Sequence, residues 1–354
     1  MDESASAVRG PREDHMKRRD FVKSISLGGT VLAASKLAAA QRWKADPNNT
    51  SYIKVDDGHQ GPWPHWPFDE IRIPYRERFG KVKWPNGGPL CVYINVATEW
   101  SGHAVMKDPK SKVKRDLRAE TEEGQYEMNV GVWRAVRLLD KFGVKVSIYA
   151  HAGMVEAFPD LYRELHSKGH EIMVRPFTGE PTTELTSADE RAEMQRCVDL
   201  ITKVTGERPV GFDNPGGVLT EDTPQNLVDL GFTWIGGLRG DDLPYGLRLK
   251  DGKKLAVVGH LTTANDLSIF EPSGLRGPTE AFAYTKDIFD AYYRLGVEEY
   301  PGALNYGIHP HVSLMPDRYG FQERFLDYIL GFKDVWFARS KDVADYWTKT
   351  YLNS

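Results

Sequence analysis

From Leu90 to the C-terminus the sequence repeats one rhythm: a short apolar run, a turn, then an amphipathic stretch. That alternation constrains the fold more than any other feature. Leu90 to Ala97 is apolar, β-rich and bounded by turn residues, as a buried strand requires. Val132, Val136 and Leu139 lie at helical spacing within 129–142, and Gly143 ends that helix. Strands are expected at 144–149, 170–174, 210–212, 232–235, 255–258, 305–308 and 335–337. Helices are expected at 159–167, 187–205, 223–230, 279–295, 321–332 and 343–349, with Ser187-Ala-Asp-Glu190 as a capping box. Strand and helix in alternation mean α/β architecture, a largely parallel sheet or barrel with helices outside.

Two segments precede that rhythm. Met16-Lys17-Arg18-Arg19-Asp20-Phe21-Val22-Lys23 is followed by a weakly apolar stretch, Ile25 to Ala34, and by Ala38-Ala39-Ala40. Adjacent arginines, a short apolar core and small residues in that order read as a twin-arginine export signal. Residues 1–40 are therefore an N-terminal extension and signal peptide, with Met16 an alternative start. The chain is expected in the periplasm or secreted, with the twin-arginine translocase as its partner during export. Residues 41–89 are rich in Pro, Gly and charge and read as an irregular arm over the domain. The chain beyond the signal, about 310 residues, suffices for a sizeable core.

Charge and cysteine content narrow the function. Net charge is -4 with no long basic stripe, which excludes nucleic acid as a partner. No segment after the signal has the apolar length of a membrane helix. Cys91 and Cys197 make no disulfide framework and read as two separate buried thiols, with a single bridge as the alternative. Trp63, Trp66, Trp84, Trp100 and Trp133 crowd the first half, suited either to stacking on sugars and flat heterocycles or to core packing.

In α/β folds the chemistry gathers where strands end at their C-termini. The polar groups there are Asn95, Thr98, Glu99, His151, Arg175, Asp213, Asn214, Asn265, Asp266, His309 and His311. Singly, each has an ordinary structural reading, a hydrogen-bonded histidine or a turn Asn or Asp. Together they have the makeup of a site.

Gly169-His170-Glu171-Ile172, at a helix–strand turn, resembles the polysaccharide deacetylase superfamily. Further segments resemble its branch of metal-independent allantoinases and related peptidoglycan deacetylases. They are Val132-Trp133-Arg134, Thr205-Gly206-Glu207-Arg208-Pro209-Val210-Gly211, Asp241-Asp242-Leu243-Pro244-Tyr245, Thr263-Ala264-Asn265-Asp266, Gly307-Ile308-His309-Pro310 and Val335-Trp336-Phe337-Ala338-Arg339, in the family's order. The resemblance covers Leu90 to Tyr351 and implies a distorted, incomplete (β/α) barrel over 90–354. It implies a hydrolase of non-peptide carbon–nitrogen bonds: a cation polarises a carbonyl, a carboxylate takes the proton of water, and a late histidine protonates the leaving nitrogen. It also implies a homo-oligomer.

The sequence departs from that family where the metal would bind. After the first strand stands Asn95-Val96-Ala97-Thr98-Glu99-Trp100, with one acid where the family has two. Arg175 and Gly179 stand where the family's His-x-x-x-His ligands would be. His309 matches the late histidine. The expectation is a site with no cofactor, in which Glu99 is the base, His309 the acid and Arg175 a fork of donors for a carbonyl or carboxylate. The alternative is an Arg175–Glu99 ion pair in a silent site that binds a sugar or small anion. Trp100, His151, Asp213, Asn214, Asn265, Asp266 and His311 are the candidates for holding a small amide or carbohydrate substrate. Glu99, His103, His309 and His311 are of the types that bind zinc, which keeps a divalent metal as a less favoured arrangement.

Overall fold

The computed structural model describes residues 67–99, 120–177, 185–214, 219–261, 263–270 and 277–353. All of these belong to one compact unit, 55–354. The segment expected to be an export signal and most of the expected arm lie outside the described residues.

Among the described residues ten strands form one sheet. The central strand is β2 (Leu90–Thr98). It pairs in parallel with β9 (Gly302–Ile308) along one edge. Along the other edge it meets β10 (Val335–Ala338) with its first half and β3 (Ser147–His151) with its second. Parallel neighbours continue through β4 (Glu171–Arg175), β5 (Gly211–Phe212), β6 (Trp234–Ile235) and β8 (Lys254–Val257). After β8 a single parallel bridge, Asn265 to Gly307, reaches β9. A ring joined there by one bridge is an incomplete barrel.

Both faces of the sheet are buried, and strand parity separates them. On β2, Leu90, Val92, Ile94 and Val96 pack under the helices. Cys91, Tyr93 and Ala97 belong to a second cluster with Tyr149, Met173, Trp234 and Ala303. These residues fill the barrel interior. Its parity continues upward to Glu99, His151, Arg175 and His309, so the interior face of four strands delivers the candidate site.

The helices bury one stripe each. On α2 (Val132–Phe142), Val132, Ala135, Val136, Leu138 and Leu139 are buried, and Gly143 closes it with φ 65°. Two π-helical turns, Glu120–Gln125 and Glu127–Gly131, precede it where an α-helix from 129 is expected. Next come α3 (Ala152–Ala157), α4 (Pro159–Ser167) and α5 (Ser187–Thr205). The cap of α5 is Thr186, not Ser187: its hydroxyl accepts from the Asp189 N–H at 3.2 Å. Glu190 does not reach back to the cap. It is buried and accepts from Thr223 and Asn226 of α6 (Thr223–Asp229) at 2.6 and 2.7 Å. The last helices are α7 (Asp266–Phe270), α8 (Pro278–Glu298), α9 (Pro310–Ser313), α10 (Pro316–Ile329) and α11 (Ser340–Trp347).

Two features differ from the sequence expectation. Strand β7 (Tyr245–Leu249) forms an antiparallel hairpin with β8, turning at Asp251-Gly252, where Gly252 has φ 82°. That turn needs glycine. Within the arm, β1 (Phe68–Ile71) adds antiparallel to β7, and a short helix follows at Tyr75–Lys81. Arg72 and Arg78 anchor this strap on Asp241 at 3.0 and 2.6 Å. Backbone pairing and three charges that are buried or partly buried give order that composition alone does not suggest. Trp84 is core: it packs on Trp336, Tyr346 and Trp347 and donates to the Gly302 carbonyl at 2.8 Å. Cys91 and Cys197 are separate buried thiols that form no disulfide.

Candidate active site

Glu99 follows β2 directly and is the hub of the site. Arg175, at the end of β4, is completely buried and donates from Nη1 to Glu99 Oε1. Its Nη2 donates to Asp213 Oδ2 at 3.1 Å, and its guanidinium carbon lies 5.3 Å from the centre of the Tyr149 ring. His309, one residue beyond β9, sets Nε2 3.5 Å from Glu99 Oε2. Glu99 therefore lies between a guanidinium and an imidazole. Burial alone would raise its pKa; Arg175 and His309 outweigh that and hold it well below the usual carboxylate range.

His309 is fixed from behind. Asp266 opens α7 and accepts from His309 Nδ1 at 2.7 Å, while the His309 backbone N–H donates to both its oxygens at 3.0 and 2.8 Å. A buried chain of donors completes that carboxylate: Tyr306 donates to Gln322 at 2.8 Å, Gln322 to Ser313 at 2.6 Å, and Ser313 to Asp266. Burial would lower the His309 pKa, but Glu99 and Asp266 push it up to about 10. At neutral pH this ring is an imidazolium whose Nε2–H faces Glu99.

On the opposite side, Asp213 stays below its ordinary pKa despite burial, because His260 and Arg175 hydrogen-bond to it. His260 Nδ1 lies 3.3 Å from Asp213, and its Nε2 lies 3.4 Å from Asn265 Nδ2. Asn265 Oδ1 already accepts from the Leu267 N–H at 3.0 Å, so its amide nitrogen faces His260. With the Asn265 amide facing Nε2, the His260 ring is oriented so that Nδ1 donates to Asp213.

The structure brings Glu99, Arg175, Asp213, Asn265, Asp266 and His309 into one network. His151 is buried at the end of β3, with Nδ1 2.7 Å from the Pro176 carbonyl oxygen, near enough for its charge to lower Glu99. His311 bonds to Glu127 at 2.9 Å beside His309. Asn214 is buried next to Asp213. Asn95 lies deeper, accepting from Asn305 at 2.9 Å, and Thr98 pairs with Tyr162 at 2.8 Å under the helices. Trp100, His103 and Gly179 lie outside the described residues.

Sequence reasoning missed His260, Ser313 and Glu127. His260 stands just past β8, so the strand-end rule could have found it. Nothing local marks Ser313 or Glu127, whose partners are far away in sequence.

A divalent metal does not fit this donor set. Arg175 cannot give up its proton, and its charge already spans Glu99 and Asp213, where a dication's charge would have to sit. Among the described residues no three His, Cys, Asp or Glu side chains converge as ligands.

The comparisons agree with this architecture. Residues 123–235 match the family model described as polysaccharide deacetylase. The peptidoglycan deacetylase-like protein FGM2 of Gibberella zeae is 29% identical over 43% of this chain, a match that spans 45% of that protein. The peptidoglycan deacetylase of Helicobacter pylori is 22% identical over 72% of this chain and 93% of its own length. The crystal structure of Puue allantoinase superposes with a TM-score of 0.69 at 26% identity, over 76% of this chain and 93% of that one. Residues 123–235 thus match a polysaccharide deacetylase domain, and the incomplete (β/α) barrel makes the whole described chain similar in fold to deacetylases and to an allantoinase.

Proposed function

We propose that this protein hydrolyses a non-peptide carbon–nitrogen bond without a resident metal, in a small cyclic or linear amide or an N-acetylated sugar. The relatives named as deacetylases and as an allantoinase support the reaction class. The observation that carries it is Glu99 held between Arg175 and a His309 anchored on Asp266.

The proton balance rests on those contacts. As water adds to the carbonyl carbon, Glu99 takes its proton. As the carbon–nitrogen bond breaks, His309 passes its Nε2 proton to the leaving nitrogen. A carboxylate held as low as Glu99 is a weak base at rest. When His309 later gives up its proton, one of the charges that depress Glu99 disappears, and the proton already taken by Glu99 is held more firmly while the carbon–nitrogen bond breaks. Proton transfer from Glu99 to His309 then restores both groups. Arg175 orients Glu99, with both terminal nitrogens engaged on carboxylates, so it acts through that carboxylate. The sequence reading of Arg18-Arg19 as an export signal supports a site of action outside the cytoplasm, in the periplasm or beyond.

One feature favours a second reading. Glu99 is neutralised on both sides, as in a silent site that binds a sugar or small anion. Purified protein lacking the signal, given allantoin, cyclic imides and N-acetyl-glucosamine oligomers with chelator or with zinc, separates the two. Turnover that ignores the chelator and disappears in His309→Ala supports the hydrolase. Saturable binding of one compound without turnover supports the silent site. Zinc-dependent turnover contradicts a metal-free reaction.

A further inference from the structure

Glu127 is a completely buried carboxylate beside the cleft, and the proposed hydrolysis does not use it. It opens the π-helical turn Glu127–Gly131. Such turns are rare and recur at functional sites. This one is pressed against the loop carrying the late histidines: a Cβ on Gly131 would lie 2.6 Å from the Pro310 carbonyl oxygen. Glycine allows that approach, and the approach brings Glu127 Oε2 to 2.9 Å from His311 Nδ1.

His311 and His309 are built alike. Each has Nδ1 on a buried carboxylate, Glu127 or Asp266. Their rings meet edge to face with centroids 5.9 Å apart. They differ at the other pole. His309 Nε2 faces Glu99, whereas His311 Nε2 has no hydrogen-bond partner among the described residues, and its side chain is 12% exposed. Arg175 is committed to Glu99 and Asp213. Arg175 Nε also lacks a partner but is sealed inside the barrel, so the partly exposed open donor next to His309, among the described residues, is His311 Nε2.

Adding water to an amide carbonyl builds negative charge on the carbonyl oxygen, and a donor waiting there lowers the barrier. We propose that His311 is a further catalytic residue that donates from Nε2 to this oxygen, with Glu127 as its positioning residue. The proposal rests on the amide-hydrolysis reading. His311 keeps its proton throughout: charge moves onto the oxygen as water adds and returns to the carbonyl as the carbon–nitrogen bond breaks. The charged form fits its surroundings, since burial would lower the His311 pKa but the Glu127 hydrogen bond raises it.

Acetate, whose carboxylate offers an oxygen like the developing oxyanion, is the probe. In protein labelled with 15N-histidine, acetate should move the His311 Nε2 resonance. His311→Gln should weaken acetate binding about tenfold and lower kcat about a hundredfold, with KM within about threefold. Glu127→Gln should change the His311 Nδ1 resonance and weaken acetate similarly, a signature that a merely structural role would not produce. If His309→Ala abolishes turnover while His311→Gln leaves kcat and acetate affinity unchanged, the hydrolase reading stands and this inference falls. If wild type turns over nothing, the acetate titration still decides: unchanged affinity and an unmoved Nε2 resonance overturn it. Should His311→Gln not fold, Glu127→Gln carries the test, and an unchanged Nδ1 resonance with unchanged affinity overturns it.

Discussion

Strand β4 carries a buried titratable group at each end of its interior face, and the two ends differ in kind. At the bottom, Glu171 accepts from Ser147, from Trp234 at 3.2 Å and from the Lys341 backbone N–H at 3.0 Å. These donors are neutral, and burial raises Glu171 to about 7. At the top, Arg175 joins Glu99, and that carboxylate is driven far down. Burial pushes both carboxylates up, and only the one with cations beside it is driven down. Neutral donors make a structural carboxyl; fixed cations make an ionised one ready for chemistry.

The largest expected effect breaks the top of that comparison. Arg175→Met leaves Glu99 and Asp213 without their cation, and removing one partner of a buried pair costs about 3–5 kcal/mol. Urea denaturation should show that loss, together with loss of turnover. Arg175→Lys retains charge without the fork and should recover part of the stability; turnover unaltered by it would contradict the role given to the two-carboxylate clamp.

The bottom carboxylate makes a prediction of opposite sign from an ordinary surface acid. The folded pKa of Glu171 is raised, so its contribution is fully present below about 4.5 and is lost as pH rises towards about 7. That loss is on the order of 3 kcal/mol. Glu171→Gln should remove this slope from a plot of unfolding free energy against pH and leave turnover within about twofold. A large loss of activity would mean that the two ends are coupled.

The smallest effect lies away from both ends. Thr186→Ala removes the cap of α5 and should cost about 1 kcal/mol with turnover unchanged, measured by denaturation and assay on one preparation.

The barrel was legible because the rhythm of strand and helix is set by local pattern. The apolar run 90–97 and Gly143 place β2 and the end of α2 without tertiary information. The hairpin of β7 was not, although Asp251-Gly252 marks its turn, because the expected rhythm called for a helix between strands. The site was half legible. Strand ends and parity identify Glu99, Arg175 and His309. What escaped was the set of residues that tune them, since His260, Glu127 and Ser313 act through partners 47, 184 and 47 positions away. That Arg175 would clamp two carboxylates depends on Asp213 lying across the barrel, which no spacing reveals.

The central claim is that His309, held charged by Glu99 and Asp266, is the acid that releases the leaving nitrogen. The pH dependence of kcat/KM on a substrate that is turned over tests it most directly. The account predicts activity that persists through neutral pH and falls as His309 loses its proton at about 10. A rise in activity as a group deprotonates near 6.5, the ordinary histidine value, would make the essential histidine a neutral base and contradict the account.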